Sequence, residues 1–167
     1  MDPRPVRASQ VEMTELVLPN DANVHGSVLG GRVMHLIDIC AAIAANRHSG
    51  SGVVTAAVDG IEFLHPVAVG QILVLKASVN LAASTSMEVG VKVWSEDPRR
   101  GGRRHTSSAY LTFVAVDSSG RPVPVPAVLP ETEEERRRHG DAVRRRAQRL
   151  ADRASKRERR DGPGGAR

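Results

Sequence analysis

Two periods divide the chain. Between residues 32 and 47 apolar positions follow almost without interruption: Val33, Met34, Leu36, Ile37, Ile39, Cys40 and Ile43, with alanines at 41, 42, 44 and 45. No polar stripe is wide enough to face water, so the run predicts a helix over Arg32–Arg47, buried on most sides. Ser49 to Gly52 ends it. From residue 53 the period becomes two. Val54, Ala56 and Val58 alternate within Val53–Leu64, and Leu73, Leu75, Ala77, Val79 and Leu81 share a face of Ile72–Leu81. Met87, Val89, Val91 and Val93 alternate with Glu88, Gly90, Lys92 and Trp94, and Leu111 and Phe113 oppose Thr112 and Val114 in Ser107–Val116. Alternation of this kind marks half-buried strands. Long strands joined by short turns favour an antiparallel meander over β-α-β units. A further strand, Val11–Leu18, precedes the turn cluster Pro19–Asn23.

One strand, one apolar helix and four long strands cannot cover both faces of a sheet within one chain. The order predicts an α+β domain in which a curved antiparallel sheet wraps one central helix, with the other face solvated or paired with a second subunit. That architecture is the hotdog fold. The flanks differ. Residues 1–10, with two prolines and no pattern, are expected to be disordered, and the folded domain to occupy 11–130. Thr132 to Glu135 spells a capping box, with Thr at the N-cap and Glu three residues on. It opens a charged helix over 131–155, where Glu133 with Arg137 and Glu134 with Arg138 form favourable pairs one turn apart. Val143, Ala147, Leu150, Ala151 and Ala154 make a narrow stripe expected to pack on the body, and 156–167 are expected to be disordered.

Charge sharpens this division. The formal net charge is +5. Residues 136–167 hold 13 Lys and Arg against 4 Asp and Glu, which leaves residues 1–135 at −4. The basic character belongs to the tail, which reads as a solvated helix face rather than a nucleic-acid surface. The longest apolar stretch, Val33–Ala45, is interrupted by His35 and Asp38. It is shorter than the roughly 20 residues that span a bilayer. With no signal-like start and one cysteine, Cys40, the sequence reads as a cytoplasmic protein without membrane partners.

No G-x-S-x-G elbow, Walker loop or H-E-x-x-H stands in the chain. Cys40 lies in the apolar run and reads as an inert core thiol. The histidines at 25, 35, 48, 65, 105 and 139 show no metal-ligand spacing, so neither metal nor cofactor is expected. One residue is out of place. Asp38 stands in the middle of the most apolar helix, where an unpaired ionised carboxylate costs several kcal/mol. Either it caps a loop or pairs with His35 one turn away, or it is a general base or nucleophile. Gly30-Gly31 opens the same helix. Glycines there form a tight turn, or let a ligand approach N–H groups that polarise a carbonyl oxygen. Asp38 follows Gly31 by seven residues, two turns on and nearly the same face. An oxyanion site and a carboxylate along one groove are what hydrolysis of an activated carbonyl requires.

A longer set of residues carries a resemblance. Asn20-Asp21-Ala22-Asn23-Val24-His25-Gly26, Gly30-Gly31, Asp38, Ala41-Ala42-Ile43 and Arg47-His48 come first. Val58-Asp59, Phe63, Pro66-Val67, Ser84-Thr85-Ser86-Met87-Glu88-Val89, Ala109 to Ala115, Gly120 to Pro126 and Pro130-Glu131-Thr132 follow in order. Together, over residues 11–138, they resemble the bacterial and mammalian cytosolic acyl-CoA hydrolases, the YciA-like hotdog thioesterases. The resemblance implies hydrolysis of acyl-CoA thioesters to coenzyme A and a carboxylic acid, with coenzyme A as part of the substrate. It implies Asp38 as base or nucleophile and Asn23 as the residue that orients water or carbonyl, the two coming from opposite subunits of a dimer. Trimers of dimers are common in such proteins. Gly30 and Gly31 fall at the oxyanion site, with the Gly31 N–H as donor. Ser84, Thr85 and Ser86 fall near the coenzyme A moiety, and Arg47 within reach of a phosphate. Turn hydroxyls and a helix-end arginine are the plain readings of the last two. The competing reading is a non-catalytic acyl-CoA-binding or regulatory hotdog protein whose basic tail touches nucleic acid. Acyl chain length is not fixed by these residues.

Overall fold

The structure is a computed structural model that describes the backbone of residues 1–161 and the side chains of residues 1–156. The chain divides into Met1–Leu129 and a segment from Pro130 onward. In the first unit a short strand β1 (Arg4–Pro5) is followed by a 3-10 turn (Val6–Ser9), β2 (Val11–Leu16) and the helix α1 (Gly30–Ser49). Then come β3 (Gly52–Val58), β4 (Glu62–Phe63), β5 (Ile72–Ala82), β6 (Ser86–Glu96), β7 (Arg103–Val116) and β8 (Val128–Leu129). The main sheet is antiparallel in the order β2-β5-β6-β7-β3, with β4 also on β7, and β8 pairs in parallel with β1. This is the predicted hotdog architecture, a curved sheet around α1.

The alternation read from the sequence sets the core. Leu73, Leu75, Ala77 and Val79 of β5, Met87, Val89, Val91 and Val93 of β6, and Ala109, Leu111, Phe113 and Ala115 of β7 are all buried. They meet Val33, Leu36, Ile37, Cys40, Ala41, Ala44 and Ala45 of α1. The alanines let the helix lie close to the sheet, and burying each larger aliphatic contributes about 1.5–3 kcal/mol. Close approach also explains Gly90 on β6. A Cβ there would stand 2.6 Å from Asn80 Nδ2.

Several expectations need correction. Residues 1–10 are ordered. Val6 and Ser9 are buried. Ser9 Oγ accepts from the Val79 N–H at 2.9 Å beside a register shift in β5, a backbone donor that needs a partner once buried. The helix α1 is not buried all round: Gly31, Met34, His35, Ile43 and Asn46 are exposed. The strand expected over Val53–Leu64 is two pieces, β3 and β4. And the second helix, α2 (Glu133–Asp161), runs past residue 155, so part of the expected disordered tail is helical and 162–167 lie outside the described residues.

The predicted capping box opens α2. Glu135 N–H donates to Thr132 Oγ1 at 3.2 Å, and Glu135 Oε2 accepts from the N–H groups of Glu131 and Thr132. Arg138 pairs with Glu134, but Arg137 pairs with Asp141 instead of Glu133. Val143 and Leu150 of the stripe expected to be packed are exposed.

Candidate active site

A cleft of about 300 Å³ opens at the start of α1. Its walls come from the 23–28 loop (Asn23, Ser27, Val28), from Gly30 and Val33, from Phe63 and His65 to Val67, and from Leu73, Thr106 and Ser107. The loop is built around Asn23. Its Oδ1 accepts from the N–H groups of His25 at 2.9 Å and Ser27 at 3.2 Å, and its own N–H donates to the Ser27 carbonyl. A short polar side chain that closes a turn on its own backbone is the reason asparagine suits this position. Arg32 Nε reaches Asp21 Oδ1 at 3.0 Å and ties this loop to the helix.

The helix start is left bare. No side chain caps it, and its first hydrogen bonds come from the N–H groups of Arg32 and Val33, both to the Leu29 carbonyl. The N–H groups of Gly30 and Gly31 stand ahead of these, at the positive end of the helix dipole. Neither glycine has a positive φ, so neither is demanded by backbone conformation. A Cβ on Gly31 would meet nothing within 4 Å, and one on Gly30 would meet only the Phe63 ring at 3.5 Å. Backbone approach, not turn geometry, is what these positions offer.

Asp38 lies two turns further on and is half-buried. Its Oδ1 accepts from Thr55 Oγ1 at 2.8 Å; His35 is not its partner. Thr55 sits on β3 next to a register shift at Ala56, a local irregularity that re-aims side chains. The sequence reading missed Thr55. Its one signal was a hydroxyl in step with Val53, on the face turned toward the helix. Asp38 is not among the residues that line the cleft with Asn23. Met34 and Ile43 are exposed on the helix that carries Asp38, and Val54 and Val58 are exposed on β3. The strand β3 is also the last in the sheet, with an unpaired edge.

Other candidates fall elsewhere. Arg47 closes α1, and its Nη1 donates to the Gln10 carbonyl. Ser84 and Thr85 form the turn from β5 into β6, which Ser86 begins. The carbonyls of Ser84 and Thr85 accept from Val125 and Ala115. The row Thr55–Phe113–Met87 places this turn two strands from Thr55. Cys40 is buried; desolvation lifts its thiol to about 11 against a smaller opposing effect of Arg47, so it is inert at neutral pH.

Comparison with known proteins shows the family. Residues 25–101 match the thioesterase superfamily. An uncharacterized acyl-CoA thioester hydrolase of Bacillus subtilis is 44% identical over 139 residues, which cover 83% of this chain and 81% of that one. The human cytosolic acyl coenzyme A thioester hydrolase is 36% identical over 155 residues, 91% of this chain and 40% of that one. Among solved structures, an apo-hexameric acyl-CoA thioesterase superposes with a TM-score of 0.89 at 43% identity, covering 92% of this chain and 99% of that one. The Staphylococcus aureus acyl-CoA hydrolase in complex with butyryl coenzyme A, coenzyme A and its disulfide gives 0.86 at 37% identity, covering 93% and 94%. Its structures include alanine variants of an asparagine, an aspartate 15 residues later and a threonine 17 residues beyond that. Asn23, Asp38 and Thr55 stand at the same separations.

Proposed function

This chain belongs to the thioesterase superfamily as an acyl-CoA thioester hydrolase, and from that premise we propose how its residues divide the work. Asp38 takes a proton from water as general base, or attacks the thioester carbonyl itself. Thr55 holds one carboxylate oxygen and so fixes the rotamer, leaving Oδ2 for the reaction. The Gly31 N–H, with Gly30 beside it, receives the negative charge that develops on the carbonyl oxygen. An uncapped helix start is suited to this because its donors are already oriented and unspent. Asn23 orients the water or the carbonyl at the mouth of the cleft, and the acyl group enters the cleft behind it. Collapse of the tetrahedral intermediate expels the coenzyme A thiolate, which takes the proton held by Asp38 on the base route. On the nucleophile route the thiolate takes a proton from solvent, and water then hydrolyses the acyl–Asp38 anhydride to release the carboxylic acid.

The observation that carries this reading is the Asp38–Thr55 pair, two turns along α1 from a bare helix start. The separation of Asp38 from the Asn23 cleft favours a site shared by two subunits. A second copy docking on the unpaired edge of β3 would cover Val54, Val58, Met34 and Ile43 and bring Asn23 of the partner subunit toward Asp38. The dimer is then the catalytic unit, and the hexamer of the solved relative fits a trimer of dimers. The Ser84-Thr85-Ser86 turn and Arg47 are assigned to coenzyme A binding, Arg47 through guanidinium nitrogens not used on Gln10. We assign the protein to the cytoplasm and to fatty acid metabolism, a reading supported by its likeness to a cytosolic acyl coenzyme A thioester hydrolase.

The test is release of free thiol from acyl-CoA by wild type and by Asp38→Ala. Loss of a general base costs about 10²–10⁴-fold in kcat, with the oligomer unchanged by size-exclusion chromatography. Full activity in the variant would remove Asp38 from the mechanism. Retention of acyl-CoA by the wild type without turnover would leave a binding protein in place of an enzyme.

A further inference from the structure

The floor of the cleft holds a polar atom without a partner. Ser107 lies on β7 opposite Phe63 of β4 and Val93 of β6, and it is 1% exposed. It is in step with Ala109, Leu111 and Phe113, so strand alternation turns it to the helix side of the sheet, where the cleft is. Its Oγ is buried and makes no hydrogen bond. The adjacent Thr106 differs, since its hydroxyl donates to the Val93 carbonyl at 3.1 Å. Val33, Val67 and Leu73, the other buried walls, are apolar. A hydroxyl stripped of water and given no acceptor destabilises the empty cleft, and a ligand oxygen placed against it removes that penalty.

Resting on the reading that this cleft receives the acyl group, we propose that the preferred substrates are short- to medium-chain acyl-CoA thioesters whose chain carries a hydroxyl or keto oxygen, bound by Ser107. Size points the same way. At about 30 Å³ per methylene-sized group, the share one water takes in the liquid, a cleft of about 300 Å³ has room for about ten such groups, and a chain as long as palmitoyl exceeds it. A plain aliphatic chain fits the apolar walls but leaves the Ser107 hydroxyl unmatched. Discrimination that rests on a buried hydrogen-bonding group is steeper than discrimination by one methylene.

The test compares kcat/KM for butyryl-CoA, 3-hydroxybutyryl-CoA, acetoacetyl-CoA and palmitoyl-CoA in wild type, Ser107→Ala and Ser107→Thr. In wild type at least one of the two oxygenated four-carbon substrates should exceed butyryl-CoA by about tenfold or more, with palmitoyl-CoA poorest. Ser107→Ala should bring that ratio close to one, and Ser107→Thr, which keeps the hydroxyl, should restore most of it. Thermal unfolding without ligand separates this role from a structural one: Ser107→Ala removes an unmatched polar atom and should melt no lower than wild type. A ratio near one in wild type, or the same ratio in wild type and Ser107→Ala, overturns the inference while hydrolysis of butyryl-CoA keeps the thioesterase reading intact. Absence of hydrolysis of every substrate by wild type overturns both.

Discussion

The two ends of α1 are treated in opposite ways. At the C-terminus every device for satisfying a helix end is present. Gly50 adopts a left-handed φ of 68° and returns its N–H to the Asn46 carbonyl at 2.8 Å. Arg4 donates to the carbonyls of Arg47 and His48, and Asn46 Nδ2 donates to the Ser51 carbonyl. His48 Nε2 donates to the Pro126 carbonyl at 2.9 Å from a fully buried position. The positive Arg4 also complements the negative end of the dipole. At the N-terminus no side chain caps the helix, and its first two residues are glycines. An N-cap is worth about 1 kcal/mol, and its omission beside a cleft is what the proposed oxyanion site would require. One end anchors the helix so that the other can be left open.

This contrast is broken most sharply at Asp38's support. Thr55→Val keeps shape but removes the donor to Asp38 Oδ1. Because the threonine lies at the surface of the protomer, stability should change little. A carboxylate released from its orientation should lose about 10- to 100-fold in kcat, as misplaced groups do. Thiol-release kinetics alongside a melting curve checks both halves; an unchanged kcat would show that the hydrogen bond does not position the acid. A smaller effect with a more telling sign is expected from Gly31→Ala. Alanine is favoured over glycine in a helix by about 1 kcal/mol, and its Cβ meets no atom of the protomer. The variant should therefore melt higher and yet be about tenfold less active, because the methyl occupies the approach to the N–H groups. Higher melting with full activity would show that nothing approaches Gly31.

The fold was legible because its signals are local and repeated. The period-two runs of β5, β6 and β7 and the nearly continuous apolar run of α1 each pointed to one element. What failed depended on contacts across the chain. Nothing in residues 1–10 announces that Ser9 will satisfy the Val79 N–H, seventy residues away. Nor does the apolar run reveal that one side of α1 is open. Hydrophobicity records that a face is covered but not by what, and Met34 and Ile43 read alike whether a sheet or a second subunit covers them. Within the site, Asp38 was legible as a charge among aliphatics and Gly30-Gly31 by position. Thr55 and Ser107 were not, because a hydroxyl in a β-rich sequence is ordinary until the coordinates show which acceptor it meets or lacks.

The anchored end should have a pH signature that the open end does not share. His48 is held below the ordinary histidine range, first by burial and then by the positive Arg4, with the Pro126 carbonyl opposing. Since a carbonyl only accepts, Nε2 carries the proton and Nδ1 is left bare, buried and without a partner. Protonating Nδ1 would place a cation against Arg4 with no acceptor. The unfolded chain has no such obstacle and takes up the proton at about pH 6.5. Below that pH the unfolded state binds more protons than the folded one, so stability falls as pH drops from 6.5 toward the lowered native value. Above 6.5 the contribution is fully present. Melting temperature measured from pH 7.5 to 5 should therefore decline for wild type, and the decline should be shallower in His48→Gln, whose amide can still donate to Pro126 but cannot be protonated. The variant will start from a lower melting temperature because its fit is poorer. The slope, not the offset, is the readout. An equal slope in both proteins would mean that other groups carry the acid sensitivity and that the anchored end of α1 is indifferent to pH.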